Sequence, residues 1–146
     1  MVIAIGSDHA GFTRKTEIAD YLQKTGYKII DVGTFSLISV DYPDYAKAAS
    51  LLVSEGKADK AIIVCGSGIG VSITANKVQG IRAANCLTEE MASLARQHND
   101  INVLTLGERL VDKEKALSII HVFLNTDFEG GRHTNRVNKI HSDTGC

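Results

Sequence analysis

Ala61-Ile62-Ile63-Val64-Cys65-Gly66-Ser67-Gly68-Ile69-Gly70 is the stretch that decides the fold. Its first half is an apolar run rich in β-branched residues, the pattern of a strand covered on both faces. Its second half spaces glycines two apart and leads into Val71–Lys77, which has helical spacing. A strand passing through a glycine turn into a helix is one βα unit. The unit recurs in both directions. Upstream lie the apolar runs Val2–Ile5 and Lys28–Val32, and downstream Ile81–Cys86 and Val103–Leu106. Gly6, Gly33, Gly66 and Gly107 stand where these strands end.

Helical segments fill the gaps. Phe12–Lys24 places Ile18, Tyr21 and Leu22 on one face. Asp41-Tyr42-Pro43 reads as a helix start, with Asp41 as N-cap and proline in the first turn. That helix reaches about Glu55. Glu89–His98 follows Thr88 as N-cap, with two acids in its first turn where the helix dipole favours them. Asp112–Asn125 carries Leu117, Ile120 and Leu124, and Arg132–Ile140 forms a short extra helix after the Gly130-Gly131 break. The pattern predicts a Rossmann-like three-layer α/β/α sandwich. Its five-stranded parallel sheet takes the common order 2-1-3-4-5 and is followed by a C-terminal helical tail. One domain over residues 1–146 is expected, since no linker or low-complexity segment interrupts the chain. The glycine break would let the tail leave the body and reach a partner subunit.

Composition removes several classes of function. The chain has 16 Lys and Arg against 17 Asp and Glu, without the basic excess of a nucleic-acid binder. No apolar stretch approaches the ~18 residues of a membrane span. The three cysteines are widely spaced and form no CxxC, so neither a zinc ribbon nor a dithiol redox pair fits. The opening Met1–Gly6 lacks the basic segment of a signal peptide, and the cytoplasm is the expected compartment.

In an open parallel sheet, ligands bind beyond the strand carboxyl ends where strand order reverses. For the assumed order this lies between strands 1 and 3. The turns leaving those strands are Gly6-Ser7-Asp8-His9 and Cys65–Gly70, the two stretches richest in chemistry. The latter is GxGxG after the third strand, not the GxGxxG of a dinucleotide site, and no GxxxxGK[ST] exists. A cysteine phosphatase would want arginine at position 71, where Val71 stands. The loop reads either as a tight turn or as a row of amides aimed at an anion.

Cys65 ends its strand at the mouth of the following helix. Amides and dipole there favour a thiolate with a lowered pKa, fit to act as nucleophile or base. The plainer reading is a buried small hydrophobe, which fits Cys86 better. His98 lies in the polar stretch Arg96-Gln97-His98-Asn99-Asp100 at a helix end, suited to proton exchange near neutrality. His9 falls in the predicted crevice beside Asp8. No HxH or HxxxH supports a metal site. Arg109 follows strand 5, and Arg132 and Arg136 share one face of the tail helix, where they could grip phosphate or face water.

Together these motifs resemble a known family. Gly6–Gly11, Asp41–Pro43, Cys65–Gly70, Arg96–Asn99 and Glu129-Gly130-Gly131-Arg132-His133 occur in the order seen in type B ribose-5-phosphate isomerases. These belong to a wider sugar-phosphate isomerase family that includes galactose-6-phosphate isomerase subunits. The resemblance spans Met1 to about Ile140. It implies cofactor-free, metal-free interconversion of D-ribose 5-phosphate and D-ribulose 5-phosphate through an enediolate, a step of the pentose phosphate pathway. It implies that Cys65 is the base and that His98 opens the furanose ring, with Asp8 nearby. Backbone amides of Gly66, Ser67, Gly68, Ile69 and Gly70 would hold the enediolate oxygen, and Asn99 a sugar oxygen. His9, Arg109, Arg132 and Arg136 would surround phosphate or sugar, with His133 assisting. A homodimer or dimer of dimers with sites between subunits is implied. One branch of the family replaces the cysteine by a glutamate four residues later. Here Cys65 is present and Ile69 stands at that place, which favours the cysteine branch. Galactose-6-phosphate isomerase subunits generally lack the loop cysteine. Isomerisation of a six-carbon sugar phosphate, allose or galactose 6-phosphate, and a noncatalytic sugar-phosphate binding module are the alternatives.

Overall fold

The computed structural model describes residues 1–146. Its strands are β1 (Val2–Ser7), β2 (Lys28–Asp31), β3 (Lys60–Cys65), β4 (Ala83–Asn85) and β5 (Val103–Gly107). Its helices are α1 (Phe12–Lys24), α2 (Tyr42–Ser54), α3 (Ile69–Ala75), α4 (Glu89–Asn99), α5 (Lys113–Asn125) and α6 (Arg132–Thr144). All strand pairs are parallel, in the order β2-β1-β3-β5-β4.

The three-layer parallel architecture is as expected, and one edge of the predicted 2-1-3-4-5 order is corrected. β5 lies inside and β4 forms the edge. Burial gives the physical reason. Every residue of β5 is buried, whereas β4 pairs over only three residues, all half-exposed. Within the apolar run at 81–86, only Ala83–Asn85 joins the ladder; Ile81 and Cys86 are buried beside it. A short, half-covered strand is tolerated at an edge, where one side of its ladder faces no partner.

Side chains alternate across the sheet and divide the core. Ile3, Ile5, Ile62, Val64, Leu104 and Leu106 pack against Ile18 and Leu22 of α1, Ala92 of α4 and Ile119, Ile120 and Phe123 of α5. On the other face Ala4, Ala61, Ile63, Cys65 and Val103 pack against Ala46 and Ala49 of α2 and Val71 and Ala75 of α3. Consequently α1 and α3, the helices that follow the adjacent strands β1 and β3, lie on opposite faces. The chain diverges between them, and a crevice opens there.

Local signals are mostly as read. Thr88 accepts the Met91 N–H at 3.1 Å, and Asp112 accepts that of Lys115 at 2.8 Å. Asp41 precedes its helix as expected, but its side chain makes no capping bond. The tail does not leave the body. α6 docks on α4 of its own chain and buries His133 and Val137. Lys15 is buried under the exit of β2 and holds Asp31 at 2.7 and 2.5 Å. Asp31 also accepts the Gly33 N–H at 2.8 Å, which anchors the segment that runs over to His9.

Candidate active site

The crevice between the β1 and β3 exits is a cavity of about 290 Å³. It is lined by Asp8, His9, Ala10, Tyr42, Cys65, Gly66, Ser67, Gly70 and Arg109. Two turns distant in sequence thus meet in one place, as the topology predicted. A second cavity, about 250 Å³ between α1 and α5, is lined mainly by Tyr21, Leu22, Tyr27, Ile120 and Leu124. It lacks convergent charged groups and holds no comparable chemistry.

Cys65 ends β3 and is 5% exposed. The Gly68 N–H donates to its Sγ at 3.1 Å. That geometry needs Gly68 in the left-handed region at φ 78°, a conformation natural to glycine. A Cβ there would also overlap the Asn85 side-chain oxygen. The Ile69 N–H bonds the Ser67 hydroxyl at 3.3 Å. Two of the five loop amides expected to face a ligand are therefore used inside the loop. The N–H groups of Gly66, Ser67 and Gly70 make no bond within the chain, and all three residues line the cavity.

The remaining walls are built with equal economy. Asp8 is buried, and its Oδ1 accepts the Gly11 N–H at 3.0 Å, closing a 3-10 turn over His9–Gly11. His9 Nδ1 lies 3.1 Å from the Val40 nitrogen and 3.2 Å from its oxygen. Its Nε2 has no partner in the chain. Arg109 folds back over Gly66, where a Cβ would come within 2.9 Å of its Nη1. Its N–H donates to the Gly66 carbonyl at 3.1 Å, and its guanidinium makes no ion pair. An unpaired arginine beside free amides is a receptor for phosphate or another oxyanion.

His98, Asn99, Arg132 and Arg136 do not join this cavity. They lie at the end of α4 and on α6. His98 stacks on His133, ring centroids 4.4 Å apart and planes 12° from parallel. Glu129 Oε2 lies 3.9 Å from His98 Nε2 and 3.8 Å from His133 Nε2. Burial holds the His133 pKa below the usual histidine range, reinforced by His98 and Arg132 nearby. Asp8, expected beside His98, therefore does not meet it within one chain. Asn99 is exposed, and its carbonyl accepts from Arg82 Nε at 3.2 Å. Arg132 and Arg136 are exposed and make no ion pair with any carboxylate.

The ligand atoms of His98, Glu129 and His133 lie within 4.8 Å of one another, a cluster that HxH spacing could not reveal. Stacked imidazoles, however, send their in-plane lone pairs out side by side. A metal needs them to converge on one point at ~2.0–2.1 Å. The arrangement suits proton exchange with an incoming polar group better than metal capture.

This cysteine-and-amide crevice, with its single arginine, accompanies a family-wide match. Residues 3–140 match the family described as Ribose/Galactose Isomerase. The chain belongs to the ribose/galactose isomerase family. Ribose-5-phosphate isomerase B of Escherichia coli (strain K12) is 48% identical over 138 residues, covering 94% of this chain and 93% of that protein. The structure of Clostridium thermocellum ribose-5-phosphate isomerase B superposes with a TM-score of 0.98 at 50% identity, over 99% of this chain and 98% of the other. That of the Mycoplasma genitalium enzyme, with bound ribulose-5-phosphate, gives 0.94 at 39% identity over 99% and 96%.

Sequence reasoning about this ribose/galactose isomerase missed one wall of the crevice. The sequence places Tyr42 in a helix start and in the Asp41–Pro43 motif and gives it no site role, yet it lines the cavity. A signal was available, because the Asp41-Tyr42-Pro43 motif sits at the N-terminus of a helix on the same sheet face as Cys65.

Proposed function

We infer that the chain is an aldose–ketose isomerase that interconverts D-ribose 5-phosphate and D-ribulose 5-phosphate. The observation that carries this reading is the loop itself: the Cys65 sulfur lies among three unpartnered amides that line one cavity. Proton removal beside a carbonyl needs a base and a place for the negative charge that forms on oxygen. Cys65 takes the proton from carbon 2 of the opened aldose and returns it to carbon 1 of the enediolate. The C2 hydroxyl gives up its proton, the C1 oxygen gains one, and the former becomes the ketose carbonyl; no electron leaves the substrate. Amides of Gly66, Ser67 and Gly70 hold the enediolate oxygen, each such donor contributing ~2.7–4 kcal/mol to the transition state. The Gly68 N–H, already turned to sulfur, steadies the thiolate before the first transfer and after the second. His9 and Arg109 hold sugar and phosphate oxygens from the same chain.

Ring opening needs a proton donor and acceptor near the ring oxygen, and His98 supplies it. Because His98 belongs to a different face, the working site is completed by a second copy, which brings His98, Asn99, Arg132 and Arg136 over the first copy's Cys65. Unpartnered apolar side chains support a homodimer. Ile69 and Ile73 lie one turn apart on α3, and Met91 and Leu94 one turn apart on α4, all at least 43% exposed. The reaction uses no metal or organic cofactor, since proton transfer between carbons 1 and 2 requires neither. The three free thiols suit a reducing compartment, and the cytoplasm is the proposed location.

The deciding experiment is direct assay of ketose formation from D-ribose 5-phosphate by the purified protein. Turnover with the pentose phosphate and little with allose or galactose 6-phosphate is expected. Turnover only with a six-carbon substrate would replace the assignment.

A further inference from the structure

Asp100 caps α4 in a costly way. It is the one non-glycine residue with positive φ, at 46°, in the left-handed region that side chains disfavour. Its carboxylate also sits at a helix C-terminus, where the dipole opposes negative charge. Two local penalties at one residue call for a compensating role.

The carboxylate divides its oxygens between two arginines. Oδ1 accepts from Arg96 Nη1 at 2.7 Å, and Oδ2 from Arg82 Nη2 at 2.9 Å. Arg96 is 6% exposed, and its Nε and Nη1 are both engaged within the chain. Nη1 also donates to the Ile101 carbonyl at 2.6 Å, and Nε to the Thr126 carbonyl at 3.0 Å. Arg82 donates from Nε to the Asp100 carbonyl at 2.8 Å, and its Nη1 lies 2.8 Å from His141 Nε2 on α6. The Glu129 N–H donates to the Gln97 carbonyl at 3.0 Å. His98 and Asn99 lie in the chain between Arg96 and Asp100. The network therefore clamps the last turn of α4 on three sides: against residue 126, against β4's approach at Arg82, and against α6.

We propose that Asp100, gripped by Arg96 and Arg82, is a positioning residue that fixes the direction of the His98 imidazole for ring opening without touching substrate. This rests on the reading of His98 as the ring-opening group. A 1 Å error in such a group costs rate, while affinity is set elsewhere by arginines and amides. The clamp also joins α4 to α6, so His98 and the phosphate-facing Arg132 and Arg136 move as one body.

The test is Asp100→Asn, which keeps the shape, tolerates left-handed backbone and loses the charge. Turnover of cyclic ribose 5-phosphate should fall about 10–100-fold with KM changed less than about threefold. An acyclic substrate analogue should lose much less. In the His98→Asn background, Asp100→Asn should add nothing, since both act through one imidazole. Arg82→Gln removes a single partner and gives the same pattern in a milder form; it is the variant to use if Asp100→Asn does not fold. Equal losses on cyclic and acyclic substrates, or full additivity with His98→Asn, would overturn the positioning role. Unchanged turnover in His98→Asn alone would instead overturn the reading of His98 and take this proposal with it.

Discussion

The two halves of the proposed site are built from different materials. The Cys65 crevice is made by backbone: a strand end, a left-handed glycine, a carboxylate-capped turn and three amides with no partner. The face at α4 and α6 is made by side chains: stacked His98 and His133, Glu129 near both, and exposed arginines. Backbone geometry is enforced by the sheet and cannot relax independently of it. Side-chain geometry depends on pairing and on what is brought against it. The crevice is thus preorganised within one chain, and in the proposed dimer the second face is finished by association. An enediolate demands fixed donors, because charge appears on one oxygen in one step. Ring opening and phosphate capture tolerate more adjustment and can be supplied across an interface.

The hardest blow to this contrast is aimed at the backbone-held half. Cys65→Ala should reduce turnover ~10²–10⁴-fold while leaving substrate affinity within a small factor, measured by steady-state rates and by calorimetric binding. Undiminished turnover would reject the thiol as base. The next effect tests the division between copies. Cys65→Ala and His98→Asn chains, each nearly inactive alone, are mixed and allowed to exchange. If each site combines the two residues from different copies, every mixed dimer contains one intact site. Activity should then recover to about a quarter of wild type at equal mixing, from random pairing in a twofold dimer. No recovery would place both residues in one working unit.

How much of this could be read beforehand follows the same division. The βα rhythm, the meeting of Asp8 and His9 with Cys65, and the glycine turn were legible because they depend on local pattern plus one topological rule. The order of the last two strands was not. The run at 81–86 carries enough apolar residues to read as a strand, and only the pairing shows that three residues of it reach the ladder, at an edge. The His98–Glu129–His133 grouping was equally hidden. It depends on α6 folding back onto α4 after Gly130-Gly131, where the residues themselves suggested departure from the body. Motif order located the residues, but only packing shows that the crevice and the α4 end stand apart in one chain.

A smaller effect concerns the phosphate grip. Arg136 is exposed and makes no ion pair, so its removal leaves no buried charge behind. Arg136→Ala should raise KM about tenfold, the value of a charge-assisted hydrogen bond, with kcat nearly unchanged and no loss of thermal stability. An unchanged KM would mean that α6 lies away from the phosphate.

The smallest effect separates the two regions by pH. His133 is held below the ordinary histidine value of 6.5 by burial, then by His98 and Arg132. In the unfolded chain the same imidazole takes up its proton near that ordinary value. As pH falls through the window between the two, the unfolded state binds protons that the folded state refuses, and stability is lost. The contribution is complete above the unfolded value and is gone below the folded one. Melting temperature measured from pH 7.5 to 5 should therefore decline less steeply in His133→Gln than in the native chain. Equal slopes would show that acid acts elsewhere. Because the Gly66–Gly70 loop owes its shape to amides and glycines that do not titrate, hydrogen exchange over the same pH range should find the α4–α6 contact loosening before that loop. Loosening that begins instead at the Cys65 loop would erase the distinction between a site half held by backbone and one held by ionisable side chains.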